Sequence, residues 1–405
     1  MKRRLFLASL GASAAAGCYY WPEDGFTNPC LDAALPDNLA NDDLIAAAWQ
    51  EVDADQFWDC HTHLLGLGDS GGGAWVNPDM RELAHPILRT QYEFFLNAAC
   101  VDESQAVDND YVSRLLTYQA GLASGTRLML LAFDYAYDSD GQRLTERSHF
   151  HVPNSYARDV ARRHPGRFEW TASIHPYRQD AVSALEAAAR DGARAVKWLP
   201  PSMNIDPASP RCDVFYDALA RLDLPLLSHA GLERAVHVPD AQTLGNPLRL
   251  RRPLEHGVRV IVAHCASMGD GEDLDAGAGK PRLTNFALFA RLMNEPRYES
   301  LLFGDISAMT QLNRIGPPLD TVLERDDWHE RLINGSDYPL PGVFPLFSVT
   351  TMVNRGYLDE REAATVRAIR PHNPLLFDFV LKRTIRHAGK RFARNVFQTR
   401  RIFET

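Results

Sequence analysis

The feature that most constrains this sequence is a repeated alternation of short apolar runs with helical stretches. Eight apolar runs end at or beside a polar residue, and segments rich in Ala, Leu and Arg lie between them. The runs span residues 57–63, 127–134, 168–175, 193–199, 224–229, 259–264, 301–307 and 331–337. Continuous apolar runs are typical of strands that are buried on both faces. Eight strands alternating with helices predict an α/β fold of the (β/α)8 TIM-barrel type.

The spacing of the runs favours one domain with a long insertion. A chain of 405 residues suits either two or three average domains or one barrel with insertions, and the alternation favours a single barrel over residues 51–405. The interval after the first run is the longest, so residues 64–124 are predicted to form an insertion that contains helices. Such an insertion lies at the carboxyl end of the barrel, where active sites form. Residues 341–405 are predicted to be a helical extension.

Polar residues at the ends of the runs are the second strong signal. His61 and His63 share one face of the first strand, because residues i and i+2 of a strand point the same way. Chance alone gives roughly half an HxH pair in a chain with this histidine content, so the pair by itself is weak evidence. Four further polar residues end other runs. They are Lys197, His229, His264 and Asp337.

Together these six residues predict a metal site. Buried imidazole, ammonium and carboxylate groups are costly unless they are paired or bind a metal ion. One histidine at a strand end is more often a hydrogen-bonded core residue, but six such groups at one end of a barrel favour a divalent ion with an open position. Zinc is expected, although nitrogen and oxygen ligands also admit manganese, iron, cobalt or nickel.

The order and context of these residues resemble the metal-dependent amidohydrolase superfamily. The strings WDCHTH at 58–63, AHC at 263–265 and GSDYP at 335–339 are similar to its amidohydrolase-2 branch, and the resemblance spans roughly residues 57–338. It implies that the histidines of strands one, five and six and the aspartate of strand eight bind one or two divalent ions. These residues are His61, His63, His229, His264 and Asp337.

The resemblance leaves two states open for Lys197, which ends the fourth run. In one state the side chain is carboxylated and bridges two ions. In the other it is an ordinary lysine, paired with a carboxylate beside a single ion. Like-charge repulsion disfavours a free ammonium beside a dication, so the lysine must be neutralised, carboxylated or turned away. The carboxylated state is expected, because the two-ion arrangement uses a bridging anion.

The implied function is a metal-dependent hydrolase that cleaves an amide, lactone or ester bond of a small substrate. A divalent ion lowers the pKa of a coordinated water and polarises the carbonyl under attack. Asp337 is expected to act as general base and then as general acid. One alternative is a lyase, such as a decarboxylase of an aromatic acid, although some decarboxylases of the family lack the lysine. The other is a surface binding protein without catalysis, against which the complete set of costly buried ligands argues.

Three more polar residues are weaker candidates for substrate binding. His175 ends the third run, Asp305 ends the seventh, and Glu233 follows His229 by four residues. A structural hydrogen bond is an equal alternative for His175 and Asp305, and a carboxylate in the first turn of a helix is the alternative for Glu233. The identity of the substrate is not encoded in these positions, because specificity lies in the loops.

The N-terminus carries an expected export signal. Residues 1–17 combine a basic start, a short apolar block and small residues, which is typical of a cleaved signal peptide. RRLFL resembles a twin-arginine signal and AAGC resembles a lipoprotein box, which implies a lipid on Cys18. Residues 18–50 would then tether an enzyme that is membrane-anchored and faces the periplasm or the cell exterior. A general secretory signal or an uncleaved apolar stretch is the alternative.

Charge and cysteine content limit the partners. The formal net charge is −9 without a strong basic stripe, so no nucleic-acid partner is expected. The expected partners are a small-molecule substrate and a membrane reached through the lipid, and the oligomeric state is left open. Cys60 and Cys265 lie in apolar runs and are predicted to be buried thiols rather than disulfide partners.

Overall fold

Eight parallel strands form the centre of the protein. A computed structural model describes residues 22–104, 106–236, 238, 240–277 and 279–404. Each strand falls within one predicted run, so the expected α/β fold is confirmed. The strands are β1 (Trp58–His63), β2 (Arg127–Leu131), β3 (Phe168–Thr171), β4 (Val196–Trp198), β5 (Leu226–His229), β6 (Val260–Ala263), β7 (Leu302–Asp305) and β8 (Leu332–Ile333). The predicted signal peptide and the predicted lipid attachment at Cys18 lie outside the described residues.

The eight strands form two parallel sheets that are joined to each other at two places. One sheet has the order β1-β2-β3, and the other has the order β4-β5-β6-β7-β8. Ala172, directly after β3, forms a parallel bridge with Val196 of β4. Thr62 of β1 forms a second parallel bridge with Tyr338, which follows β8. The second junction places the carboxyl ends of β1 and β8 side by side, together with the polar residues at those ends.

Helices connect the strands and continue after β8. The α-helices between β1 and β8 are Pro86–Ala98, Val107–Ala120, Asn154–Arg163, Ala181–Arg190, Pro200–Met203, Asp213–Arg221, Arg251–Glu255, Asn285–Met293 and Pro317–Glu324. Those before β1 and after β8 are Asp37–Ala40, Asp43–Trp49, Val349–Asn354, Glu360–Ile369, Pro374–Thr384 and Arg400–Phe403. Short antiparallel strand pairs are Trp75–Val76 with Phe150–His151, Ala136–Tyr137 with Arg143–Leu144, and Asp270–Glu272 with Arg282–Thr284. None of the described helices is long and apolar enough to cross a membrane.

The segment between β1 and β2 is held by a disulfide and by a buried carboxylate. Cys30, which precedes β1, is bonded to Cys100, which follows helix Pro86–Ala98. Asp108 is fully buried, and its carboxylate accepts the backbone N–H groups of Leu67, Gly68 and Ser70 at distances of 2.6 to 3.2 Å. The segment is therefore fastened to the chain that precedes the first strand.

The three remaining described cysteines are free and buried. They are Cys60, Cys212 and Cys265. The prediction that Cys60 and Cys265 are buried thiols is confirmed, and it follows from their position in strands or at strand ends that pack into the core.

Aromatic residues and paired charges close the amino ends of the strands. Trp58 is fully buried, and its ring stacks on Phe403 with ring centroids 6.5 Å apart. The carboxylate of Glu169 pairs with the guanidinium groups of Arg127 and Arg194. These two guanidinium groups also lie over the Trp58 ring, 5.5 and 5.2 Å from its centroid. This end therefore combines apolar packing with ion pairs.

Candidate active site

The carboxyl ends of β1 and β8 bring two histidines and an aspartate together. The Nε2 atoms of His61 and His63 lie 3.3 and 3.2 Å from Oδ1 of Asp337. His264, directly after β6, has its Nε2 atom 3.8 Å from Oδ2 of the same carboxylate. One ligand atom from each of His61, His63 and Asp337 can be chosen so that all three lie within 4.8 Å of one another. This spacing suits shared coordination of a metal ion.

Lys197 and His229 lie beside these three residues. The Nζ atom of Lys197 is 3.0 Å from Nε2 of His61, and both side chains are buried. The ring centroids of His229 and His264 are 5.5 Å apart. The structure thus brings the six predicted ligands to one cavity, and we call this group the strand-end cluster. Its members are His61, His63, Lys197, His229, His264 and Asp337.

Local backbone conformation directs two of these side chains into the cluster. His264 and Asp337 have φ angles of 56° and 59°, in the left-handed region that few residues other than glycine adopt. Such conformations concentrate at functional sites, where the surrounding structure holds them. Gly335 permits the close approach of the two chains, because a Cβ atom at this position would lie 2.5 Å from Cβ of His61.

The second ring nitrogens of two histidines are held by residues at the end of β7. Nδ1 of His61 lies 2.7 Å from Oδ2 of Asp305, so it donates its proton there and directs the lone pair of Nε2 into the cluster. The hydroxyl of Ser307 lies 2.8 Å from Nδ1 of His264 and also hydrogen-bonds to Asp305. Asp305 is fully buried and is not among the residues that line the cavity, which favours the structural hydrogen bond over a contact with substrate. It instead orients a candidate ligand.

Burial keeps three histidines of the cluster, His61, His229 and His264, neutral. Burial, followed by the nearby ammonium of Lys197, lowers the pKa of His61 well below its usual value. Burial also lowers the pKa values of His229 and His264 well below theirs. A neutral imidazole has a free lone pair, which coordination of a metal requires.

The charges of Lys197 and Asp337 follow from the same environment. Burial lowers the pKa of Lys197 to about 8. Burial acts to raise the pKa of Asp337, but the neighbouring His61 and His63 bring it below its usual value. Asp337 is therefore an anion at neutral pH, while part of the Lys197 population is a neutral amine.

The donor atoms of the cluster fit a divalent cation. Nε2 of His229 is buried and has no hydrogen-bond partner among the described residues, and the nearest Glu233 oxygen is 3.4 Å away. An orphaned buried nitrogen needs an explanation, because leaving it unpaired costs free energy. Imidazole nitrogens with free lone pairs beside a carboxylate are the donor set that zinc and related ions prefer.

The cavity above the cluster has mostly apolar walls. It encloses about 270 Å³, a size that suits a small organic substrate. Helix Pro86–Ala98, in the predicted insertion, contributes part of the wall, as the sequence indicated for this segment. The apolar side chains of the wall include Leu64, Leu65, Phe94, Phe95, Phe133, Phe150, Val343 and Leu346.

Glu233 lines this cavity, whereas His175 does not. Glu233 is buried, one of its oxygens accepts the N–H of Val236 at 2.9 Å, and burial raises its pKa to about 7. His175 is also buried, but its Nε2 atom lies 2.9 Å from the carbonyl of Met203 and its Nδ1 atom accepts the N–H of Tyr177. Both ring nitrogens of His175 are bound to backbone, which favours the structural hydrogen bond over a contact with substrate.

Sequence reasoning missed three polar residues at the site. Ser307 stands two residues after Asp305, and the i, i+2 spacing at a strand end was a signal for it. Gln311 and Arg314 line the cavity from an irregular segment between β7 and helix Pro317–Glu324. No periodicity marks these two positions.

Comparison with known proteins agrees with the geometry of the site. A family model described as "Amidohydrolase" matches residues 58–374, which contain all six members of the strand-end cluster. The chain belongs to the amidohydrolase family, and its site and family together support an enzyme. No curated protein matches the chain.

Solved structures with a similar shape share little sequence with this chain. A probable 2-pyrone-4,6-dicarboxylic acid hydrolase from Acinetobacter baumannii is 14% identical, with a TM-score of 0.44 over 70% of this chain and 84% of that one. An uncharacterized TIM-barrel protein from Bordetella bronchiseptica is 14% identical, with a TM-score of 0.45 over 80% and 99%. The 5-carboxyvanillate decarboxylase of Sphingomonas paucimobilis is 11% identical, with a TM-score of 0.44 over 78% and 95%.

Proposed function

We propose that this protein is a metal-dependent hydrolase that cleaves an amide, lactone or ester bond of a small substrate. The observation that carries the proposal is the convergence of four imidazoles and one carboxylate on a cavity of small-molecule size. The residues that would hold one or two divalent ions, with zinc as the expected metal, are His61, His63, His229, His264 and Asp337.

Asp337 is the proposed proton carrier. A divalent ion bound at the cluster supplies an acidified water and polarises the substrate carbonyl. Asp337 accepts a proton at its carboxylate as the water oxygen bonds to the carbonyl carbon. The bond between that carbon and the leaving nitrogen or oxygen then breaks, and Asp337 returns the proton to the leaving group. Asp305 and Ser307 keep the rings of His61 and His264 in place during these transfers.

Lys197 is proposed to carry a carboxyl group in the active enzyme. The neutral amine would react with carbon dioxide, so that a nitrogen–carbon bond forms and a proton leaves, and the resulting anion would replace an ammonium beside the cations. The lowered pKa of Lys197, about 8, supports this step because it enlarges the neutral fraction. Mass spectrometry of the intact protein at neutral pH and retention of two ions per chain test it. One ion and an unmodified lysine favour the alternative state.

The hydrolase proposal is tested by metal content and turnover. Wild type, His264→Ala and Asp337→Asn are assayed against panels of amides, lactones and esters, and bound metal is measured by elemental analysis. We expect bound zinc and turnover in wild type, loss of turnover in both variants and reduced metal in His264→Ala. Unchanged metal and turnover in both variants would contradict the proposal. Release of carbon dioxide without incorporation of solvent oxygen would instead indicate a lyase, and tight binding without turnover would indicate a binding protein.

The domain organisation and the cellular location of the protein are proposed as well. We propose that residues 51–405 form one closed (β/α)8 barrel with an insertion at 64–124 and a helical extension at 341–405. Residues 1–17 are proposed to be a signal peptide. Residues 18–50 are proposed to be a tether and lead-in to the barrel that begins at a lipid-modified Cys18 and anchors the enzyme outside the cytoplasm. The disulfide between Cys30 and Cys100 supports an exported location, since disulfides persist in oxidising compartments. Metabolic labelling with palmitate, with Cys18→Ser as control, tests the anchor.

A further inference from the structure

Arg314 is a buried cation that has no carboxylate beside it among the described residues. The side chain lines the cavity, and the residue is only 8% exposed. Its Nη1 atom donates a hydrogen bond to the hydroxyl of Ser267 at 2.9 Å. Its Nε atom is buried and has no hydrogen-bond partner among the described residues, and none of their carboxylate oxygens lies within 4.0 Å of the guanidinium. Burying a guanidinium in this way is costly unless an anion compensates it.

The carboxylates of the site do not supply that anion. Asp337 and Glu233 act on Arg314 only at longer range. Asp337 lies against His61 and His63 of the strand-end cluster. Glu233 accepts the N–H of Val236 with one oxygen, and its other oxygen lies 3.4 Å from His229. No carboxylate of the described residues therefore neutralises Arg314, and an anion that enters the cavity would do so.

Gln311 presents a second free donor on the same wall. Its side-chain amide nitrogen, Nε2, is buried without a hydrogen-bond partner among the described residues, and the residue is 3% exposed. The backbone N–H of Arg314 donates to the carbonyl of Gln311 at 2.8 Å, so one turn of chain holds both residues. A guanidinium and an amide that line the cavity from one turn of chain are donor groups suited to a planar anion.

The remainder of the cavity favours an apolar body on that anion. Phe94 and Phe95 come from the segment after β1, while Phe133 and Phe150 come from the segment after β2. Four phenylalanine rings around a volume of about 270 Å³ suit an aromatic or short alkyl group.

We propose that the substrate carries a carboxylate, which Arg314 and Gln311 bind, on an apolar body that lies against the phenylalanine wall. The scissile carbonyl of the same molecule then lies at the strand-end cluster. This inference rests on the proposed hydrolase function and specifies its substrate class as an acidic ester, amide or lactone. Arg314 is accordingly a residue that determines specificity, separate from the residues that would hold metal.

The first test is binding, which does not depend on turnover. Benzoate and its neutral isostere benzamide are titrated calorimetrically into the zinc-loaded full-length protein. We expect Arg314→Met to weaken benzoate binding by about 10- to 100-fold and to leave benzamide binding within a few fold, as expected for loss of a charge-assisted hydrogen bond. Arg314→Lys should restore part of the benzoate affinity. Equal benzoate affinity in wild type and Arg314→Met overturns the proposal, because a zinc ion alone would then explain benzoate binding.

Arg234 provides a matched control for general electrostatic attraction. It is an exposed arginine that lines the same cavity, so Arg234→Met removes the same charge from the mouth. We expect this variant to change benzoate affinity by less than Arg314→Met. An equal effect would mean that the field of the cavity, and not the Arg314 site, attracts anions, and it would overturn the proposal.

The second test compares the turnover of acidic and neutral substrates. Phenyl esters with a carboxylate on the acyl group are compared with the corresponding carboxamides, using kcat/KM of the zinc-loaded enzyme. We expect wild type to prefer the carboxylate by at least about tenfold in kcat/KM. Arg314→Met and the isosteric Gln311→Glu should lose that preference while still hydrolysing the carboxamide. Hydrolysis without any preference overturns this inference and leaves the hydrolase proposal standing. Arg314-dependent benzoate binding without hydrolysis of any substrate contradicts the hydrolase proposal and leaves the carboxylate site at Arg314 standing.

Discussion

The two ends of the strands treat buried charge in opposite ways. At the amino end, Glu169 is paired with two guanidinium groups that also cover the ring of Trp58. At the carboxyl end, the buried guanidinium of Arg314 has no carboxylate oxygen within 4.0 Å among the described residues. Paired charges stabilise the end that they close, whereas a buried cation without a carboxylate partner costs free energy that a bound anion can offset. The comparison separates an end that stabilises the fold from an end that carries function.

The largest effect is expected from Asp337 at the carboxyl end. Asp337→Asn keeps the shape of the side chain but removes the group that accepts the proton, so kcat/KM should fall by about 1,000-fold. The melting temperature should change little. Steady-state kinetics and a thermal melt measure both quantities. Loss of folding with no specific loss of turnover in the folded fraction would contradict the assignment of this end to function.

Ser307→Ala tests whether the residues that hydrogen-bond to the histidines of the strand-end cluster support metal binding. Ser307→Ala removes the hydroxyl that lies beside Nδ1 of His264 and hydrogen-bonds to Asp305, so metal affinity should fall by about 10- to 100-fold. Competition with a metal chelator measures the affinity. Ser202→Ala is the matched control, because the Ser202 hydroxyl is equally buried but has no hydrogen-bond partner among the described residues. Equal affinity in the two variants would contradict the role of Ser307.

Glu169 tests the amino end. Glu169→Gln leaves Arg127 and Arg194 without their carboxylate, so the free energy of unfolding should fall by about 2 kcal/mol. Because the pair lies at the opposite end from the cavity, kcat/KM should stay within a few fold of wild type. Chemical denaturation and steady-state kinetics provide the two readouts. A loss of turnover without a loss of stability would contradict the assignment of the amino end to stability.

The smallest effect concerns the pH dependence of stability. Burial raises the pKa of Glu233 to about 7 in the folded state, so between its unfolded value and pH 7 the folded state binds more protons than the unfolded state. The free energy of unfolding should therefore decrease as pH rises through this range. Glu233→Gln should make the free energy of unfolding of the metal-free protein less dependent on pH over this range. The exposed Glu330→Gln is the control, and an unchanged slope in Glu233→Gln would contradict the prediction.

The cluster was predictable because its signal is local. His61, His229 and His264 each interrupt or end an apolar run, and the cost of burying such a group at a strand end is independent of the rest of the chain. The carboxyl ends of parallel strands lie on one side of a sheet, so the topology predicts their convergence. His175 ended its run in the same way but is bound by the carbonyl of Met203, and its sequence context does not reveal that contact.

The sequence alone determined the α/β alternation and the residues that meet at the carboxyl ends of the strands, because strand periodicity and the cost of burying polar groups act over a few neighbouring residues. The tertiary structure alone decided the partners of those residues. Asp305 behind His61, the pairing of Cys30 with Cys100 and the unpaired donor of Arg314 depend on irregular segments whose packing joins distant parts of the chain. No local pattern specifies such contacts, since they exist only after the strands have placed these segments around one cavity.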